Sequence, residues 1–186
     1  VALDAKGCFA DAVTDLLTTR LLLHPVDVAE GARIVARSSG PADLWAQDYP
    51  FEGDVGAVGA FLRATAAQGE QQPLGYYRIT RLVDERAVGG IGFKGRPEGG
   101  RVEVGYGLAP SARGHGYAAE AVVPLLALAT DHGLSRLLAD TTMDNIASQR
   151  TLLRAGFRET STDGELVYYE DIVGASARPS AGGLDT

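Results

Sequence analysis

The stretch from Glu103 to Ala121, E-V-G-Y-G-L-A-P-S-A-R-G-H-G-Y-A-A-E-A, reads as strand, turn and helix in succession. Val102, Val104, Tyr106 and Leu108 alternate with Glu103, Gly105 and Gly107, the period of two that a half-buried strand needs. Pro110 has no N–H for the ladder and ends the strand. Arg113-Gly114-His115-Gly116 then turns the chain into a helix over about Tyr117–His132. Ala118, Ala121, Val122, Leu125, Leu126 and Ala129 fall on one face of it.

A glycine-rich turn that opens a helix can bind an anion. The first amides of a helix have no intrahelical partner, and the helix dipole adds partial positive charge where they point. Gly114 and Gly116 lack a Cβ and let a ligand approach the main chain, with Arg113 and His115 as donors on the rim. Alone, such a turn is equally a plain connection between strand and helix. A P-loop would require Gly-Lys-Ser/Thr, and here Gly116-Tyr117-Ala118 follows. A dinucleotide fold would require a third glycine, where Ala119 stands, and a strand buried on both faces.

R-G-H-G-Y-A-A-E-A, preceded by V-E-V-G-Y-G-L-A-P and followed by D-N-I-A-S-Q-R-T-L-L-R-A-G-F at residues 144–157, resembles the GNAT superfamily of acyl-CoA-dependent N-acyltransferases. It is most similar to the branch of ribosomal-protein N-terminal acetyltransferases. The resemblance runs from about Thr19 to Glu170. It implies an α/β (α+β) GNAT fold: a central, twisted, mostly antiparallel sheet of six to seven strands, splayed at strands four and five and flanked by helices. It implies acetyl-CoA as cofactor, with its pyrophosphate on the amides of Arg113, Gly114, His115, Gly116, Tyr117 and Ala118. The pantetheine arm would pair like an extra strand near Gly107 and Leu108, and Asn145 joins the cofactor contacts. Two positions depart from the family pattern. Ser111 stands where the glycine signature usually opens with Gln or Arg. Leu152 stands where many members carry a tyrosine acid, while Ser148 matches the serine acid of the ribosomal-protein branch.

The remaining chain is read around that centre. At 186 residues, one domain is expected, large enough for a real core. The expected division is an extension over 1–18, with a short helix allowed there, the domain over 19–170 and a flexible tail over 171–186. The first strand is Arg20–Pro25, and Asp27 caps a helix to about Arg37. A helix over about Val55–Ala67 follows, then strands at Tyr76–Leu82 and Val88–Phe93 joined by a turn at Asp84-Glu85-Arg86. Gly95–Gly100 reads as a connection, Arg136–Thr142 as the fifth strand. Asn145 caps a short helix that Gly156 stops. Phe157–Thr162 and Leu166–Glu170 form a hairpin across Asp163-Gly164. Pro124 inside the long helix predicts either a bend or an interruption.

Composition narrows the function. Apolar residues make up 45% of the chain, as in ordinary soluble proteins, and no apolar run approaches the ~18 residues of a spanning helix. The net charge of −7 argues against nucleic acid. One cysteine, Cys8, excludes an intrachain disulfide, and three scattered histidines predict no metal site. The start, V-A-L-D-A-K-G, lacks a basic-then-apolar secretion signal, so a cytoplasmic protein is expected.

The chemistry follows from the amine. A lysine-like amine near pKa 10.4 costs about 4.6 kcal/mol to deprotonate at pH 7, an α-amine about 1 kcal/mol. Glu103 is the candidate base and Ser148 the candidate acid for the leaving thiolate. Trp45, Asp48 and Tyr49 are the candidate substrate-side residues, with core packing as the competing reading for the two aromatics. The expected activity is transfer of an acetyl group to a primary amine, peptide N-terminus or small molecule, by direct attack in a ternary complex. A silent coenzyme A-binding module and a longer-chain acyltransferase using, for example, succinyl-CoA are the alternatives. A homodimer through the last hairpin or the sheet edges is also compatible with the sequence.

Overall fold

The computed structural model describes residues 14–173. They form one eight-stranded sheet flanked by four α-helices. In chain order these are β1 Leu16–Leu17, β2 Leu21–Pro25, α1 Val28–Val35, α2 Glu52–Gln68, β3 Tyr76–Arg81, β4 Ala87–Glu98 and β5 Arg101–Leu108. A single 3-10 turn at Pro110–Ala112 leads into α3 Tyr117–Asp131, followed by β6 Arg136–Thr142, α4 Ile146–Arg154, β7 Arg158–Thr162 and β8 Leu166–Ile172. The strand order is β1-β2-β3-β4-β5-β6-β8-β7, antiparallel except for β5 against β6. The expected fourth and fifth strands are therefore β5 and β6.

The sheet has eight strands where six to seven are expected, because Leu16–Leu17 adds an edge strand, and four further details differ. Residues 16 and 17 pair with β2 as a strand, so no helix occupies that part of the extension; the remainder of that expectation lies outside the described residues. The connection placed at Gly95–Gly100 is mostly strand: β4 continues to Glu98 with an irregularity in its pairing, and only Gly99 and Gly100, both at positive φ, make the turn. The second helix begins at Glu52, three residues ahead of Val55, and so includes Asp54. At the other end β8 runs to Ile172 and buries Asp171, so the folded part passes Glu170; most of the expected tail lies outside the described residues. Pro124 sits inside α3, which continues through it.

The alternation of each strand divides the apolar residues between two layers. Leu21, Leu23, Tyr77, Ile79, Ile91, Val102, Val104 and Leu137 join Ala121, Val122, Leu125 and Ala129 of α3 and Leu152 of α4 in the main core. At roughly 25 cal/mol per Å², each such Leu or Ile stabilises the fold by about 2–3 kcal/mol. Leu152 thus fills the core, consistent with its inability to serve as an acid. A smaller cluster of Val26, Ile34, Val58, Phe61 and Tyr76 holds α1 and α2 against the sheet. Trp45 packs against both clusters.

β5 and β6 pair only from Arg101–Glu103 to Arg136–Leu138. Beyond Glu103 they part, which leaves one edge of Val104–Leu108 without a strand partner. No helix among the described residues is long and apolar enough to cross a membrane.

Candidate functional site

Three features meet where the sheet opens: the glycine turn before α3, the unpaired edge of β5, and a cavity under α2. Gly114 and Gly116 have φ near +79° and +78°, the left-handed region in which a side chain is strained by roughly 1–2 kcal/mol. Gly116 is the N-cap of α3 and supplies no capping side chain, so the first-turn amides at Tyr117 and Ala118 are left to an outside acceptor. No atom lies within 4 Å of the place a Cβ would take at Gly114, and the turn is open to a ligand there. These are the properties a pyrophosphate needs, and the residues fit coenzyme A.

The turn is held from beneath by Arg20, which the sequence predicts only as the start of the first strand. Arg20 donates from Nη1 to the carbonyl oxygen of His115 (3.0 Å) and from Nε to Glu120 (2.7 Å), and its guanidinium covers the Tyr117 ring at 4.7 Å. Burial opposes ionisation of Glu120, but the Thr18 hydroxyl and the Arg20 amide and side chain hold its pKa below the usual range. An acidic residue in the first turn of the anion site is thereby neutralised. His115 stacks on Tyr117 with ring centroids 5.5 Å apart. Arg113 donates to the carbonyl oxygen of Leu108 (3.0 Å), tying the end of β5 to the turn.

Ser111 also has a structural partner. Asp48 accepts from its backbone N–H (2.8 Å) and its hydroxyl (2.7 Å), bonds that hold the Asp48 carboxyl below its ordinary pKa. Asp48 therefore braces the approach to the glycine turn and does not line the cavity. Trp45 and Tyr49 do not line it either: their rings meet edge to face at 5.5 Å, Tyr49 is buried, and Trp45 bridges to Ala87 beside β4. The three expected substrate-side residues thus lie outside this cavity, where the chain between α1 and α2 turns inward to pack on β4.

The cavity, about 570 Å³, lies between α2 and the sheet and extends to the opening between β5 and β6. Its floor is glycine: a Cβ at Gly90 would run into the Tyr76 hydroxyl, and one at Gly107 into the Phe51 ring. Its helical wall presents Gly53, Asp54, Ala57, Ala60, Phe61 and Ala64, spaced by three and four. Asp54 is 1% exposed. Its Oδ1 accepts from the Tyr76 hydroxyl at 2.7 Å, while Oδ2 has no hydrogen-bond partner among the described residues. Burial pushes the Asp54 carboxyl up to about 7, against a smaller opposing pull from the Tyr76 hydrogen bond.

Across the cavity, Lys94 contacts Glu103 and reaches Asp140 at 2.9 Å, tying β4, β5 and β6 together. Burial and the neighbouring Asp140 raise the Glu103 pKa against the pull of Lys94, while Asp140 is lowered, first through its bond to Glu103. Lys94 and Asp140 line the cavity, and Glu103 is not among its lining residues. The expected base is thus already engaged by a cation.

Ser148 and Asn145 line the end near the opening. Asn145 caps α4 by accepting from the Ser148 N–H at 3.1 Å. The Ser148 hydroxyl is 2.9 Å from the hydroxyl of Tyr106, which the sequence predicts only as a strand position. Tyr106 has its pKa raised, mainly by burial. Its alternation with Gly105 and Gly107 placed it on β5, but only the fold brings α4 beside it. No cluster of three metal-ligating side chains occurs among the described residues.

The family described as Acetyltransferase (GNAT) domain matches residues 20–158. The Uncharacterized N-acetyltransferase YjdG of Bacillus subtilis (strain 168) is 42% identical over 81 residues, 42% of this chain and 48% of that protein. The chain thus spans about half the length of this curated relative. An acetyltransferase structure from Agrobacterium tumefaciens superimposes with a TM-score of 0.61 at 23% identity, over 88% of this chain and 97% of that one. The ribosomal L7/L12 α-N-protein acetyltransferase RimL, solved in complex with coenzyme A, gives a TM-score of 0.60 at 18% identity over 84% and 96%. Likenesses at these identities speak for the fold.

Proposed function

The chain belongs to the GNAT acetyltransferase family, and from that premise we propose that it transfers an acetyl group from acetyl-CoA to a primary amine by direct attack in a ternary complex. The observation that carries this reading is the uncapped left-handed glycine turn at Gly114 and Gly116 beside the unpaired edge of β5. Arg113–Ala118 receive the pyrophosphate on main-chain N–H groups, where the α3 dipole favours negative charge. Gly107 and Leu108 offer a strand edge to the pantetheine amides. Acetyl-CoA, when bound, supplies an activated acetyl thioester.

The chain's remaining tasks are to shield the reacting end from water and to handle protons. The Ser148 hydroxyl, partnered by Tyr106, is placed to give a proton to the departing thiolate. Lys94 is the one cation among the described cavity-lining residues, and its two carboxylate partners leave no free charge for a succinyl carboxylate. That favours an acetyl donor over a dicarboxylic one. The acceptor amine class follows from the small and apolar wall of α2: an alkyl amine or a peptide N-terminus with a short first side chain.

Thiol release from acetyl-CoA in the presence of a panel of primary amines tests this reading. Release that depends on an amine is expected, with succinyl-CoA turned over more slowly. Binding of acetyl-CoA without release for any amine would make the protein a coenzyme A-binding module.

A further inference from the structure

Asp54 is nearly fully buried among the residues that line the cavity, and its surroundings call for a role. A carboxylate that served only to anchor α2 would have both oxygens satisfied, since buried polar groups in native proteins nearly always are. Here one oxygen accepts from Tyr76, the other is buried without a partner among the described residues, and Asp54 is one of the residues that line the cavity. The position is close to the expected reacting end. Phe51, the N-cap residue of α2 three positions before Asp54, covers Gly107, and the Tyr76 hydroxyl covers Gly90, which pairs with Gly107 in the sheet. Asp54 and the end of β5 therefore share one corner.

We propose that Asp54 receives the ammonium group of the acceptor in this cavity and takes a proton from it through Oδ2, an inference that rests on the N-acetyltransferase reading. One N–H bond of the ammonium breaks and one O–H bond forms at Oδ2, which frees the nitrogen lone pair. The proton passes to solvent once the product has left. A carboxyl titrating near 7 is matched to that exchange, because about half of it is ionised at neutral pH and it holds a proton far better than an exposed aspartate. The groups facing it are Tyr76 from β3 and Tyr49 from the segment before α2, with Lys94 of β4 and Asp140 of β6 across the cavity in their own ion pair. On the α1 side the Glu30 charge is taken up by Arg78. No cation among them competes for Oδ2.

The test compares the protein with D54N and with Y76F. Acetyl-CoA affinity is measured first by calorimetry, then thiol release with n-butylamine and with alanine amide from pH 6 to 9. Equal acetyl-CoA affinity in all three proteins is expected. D54N should lose on the order of 100-fold or more in kcat/KM for the amine at pH 7 and lose the inflection near 7. Y76F removes a hydrogen bond that favours the Asp54 anion, so its inflection should move to higher pH. Should D54N not fold, the Y76F shift alone decides. D54N within threefold of the unaltered protein, or an inflection unmoved in Y76F, overturns the proposal. Failure of the unaltered protein to bind acetyl-CoA overturns the N-acetyltransferase reading itself, and this one with it.

Discussion

On the α3 side of the sheet opening, the polar groups are main-chain amides at Gly114–Ala118; on the α2 side they are side chains, Asp54 and Tyr76, above a glycine floor. The first set is fixed by a local run of sequence. Two glycines at positive φ and a helix start are enough to aim the N–H groups, and Arg20 and Asp48 only steady them. The second set exists only after folding, because its partners come from α2, β3, β4 and β5. A main-chain site tolerates changes in its neighbours and fails when a glycine is replaced. A side-chain site fails at single atoms.

The largest expected effect breaks the main-chain half. Gly116→Trp forces a bulky residue into left-handed backbone and fills the turn, and should weaken acetyl-CoA binding by roughly 100-fold or more, about 2.7 kcal/mol, as read by calorimetry. Unchanged affinity would remove the pyrophosphate from this turn.

Next comes a stability effect on the side-chain half. The Asp54 carboxyl titrates at about 7 in the fold against 3.8 when free, so the folded protein binds that proton more tightly. Stability then falls as pH rises from about 4 to about 7 and stays lowered above that. D54N, which carries no charge, should be more stable than the parent at pH 8 by roughly 2–4 kcal/mol, and the gain should vanish near pH 4. Thermal unfolding at the two pH values checks it. Equal melting temperatures at pH 8 would mean that Asp54 is not held against its charge.

Smaller effects sharpen the contrast. Arg20→Ala should weaken acetyl-CoA binding about tenfold through a looser turn, with the amine KM little changed. Glu103→Gln should lower turnover by no more than about threefold, since Lys94 keeps Asp140 as its partner. A loss of 100-fold would restore Glu103 as the base. Trp45→Phe should lower the melting temperature while leaving kcat/KM within about twofold, as expected of core packing.

What was legible follows the same division. The strand, turn and helix over 101–131 and the Asn145 cap were readable because each is specified by neighbours within a few residues. So was the β5–β6 opening, through the family resemblance. Asp54 was not, since an aspartate in the first turn of a helix ordinarily serves the helix dipole and its burial depends on Tyr76 22 residues away. Tyr106 became interesting only beside Ser148, 42 residues on, and Arg20 only beside Glu120, 100 residues on. Whether Trp45 and Tyr49 line the cavity was not legible either, because aromatics serve cores and binding sites equally well, and the fold packs these two outside it. Gly95–Gly100 misled because glycine content outweighed the pairing that β4 makes with β5.

The glycine floor also bears on how such an enzyme can be given a new substrate. Gly90 and Gly107 admit no side chain without displacing Tyr76 or Phe51, so variation from below is closed off. Ala57, Ala60 and Ala64 line the opposite wall on one stripe of α2, and there a larger residue has empty volume to grow into. On the proposed N-acetyltransferase reading, selectivity among amines would be adjustable from one helix without altering the glycine floor, and a library confined to those three alanines would sample it.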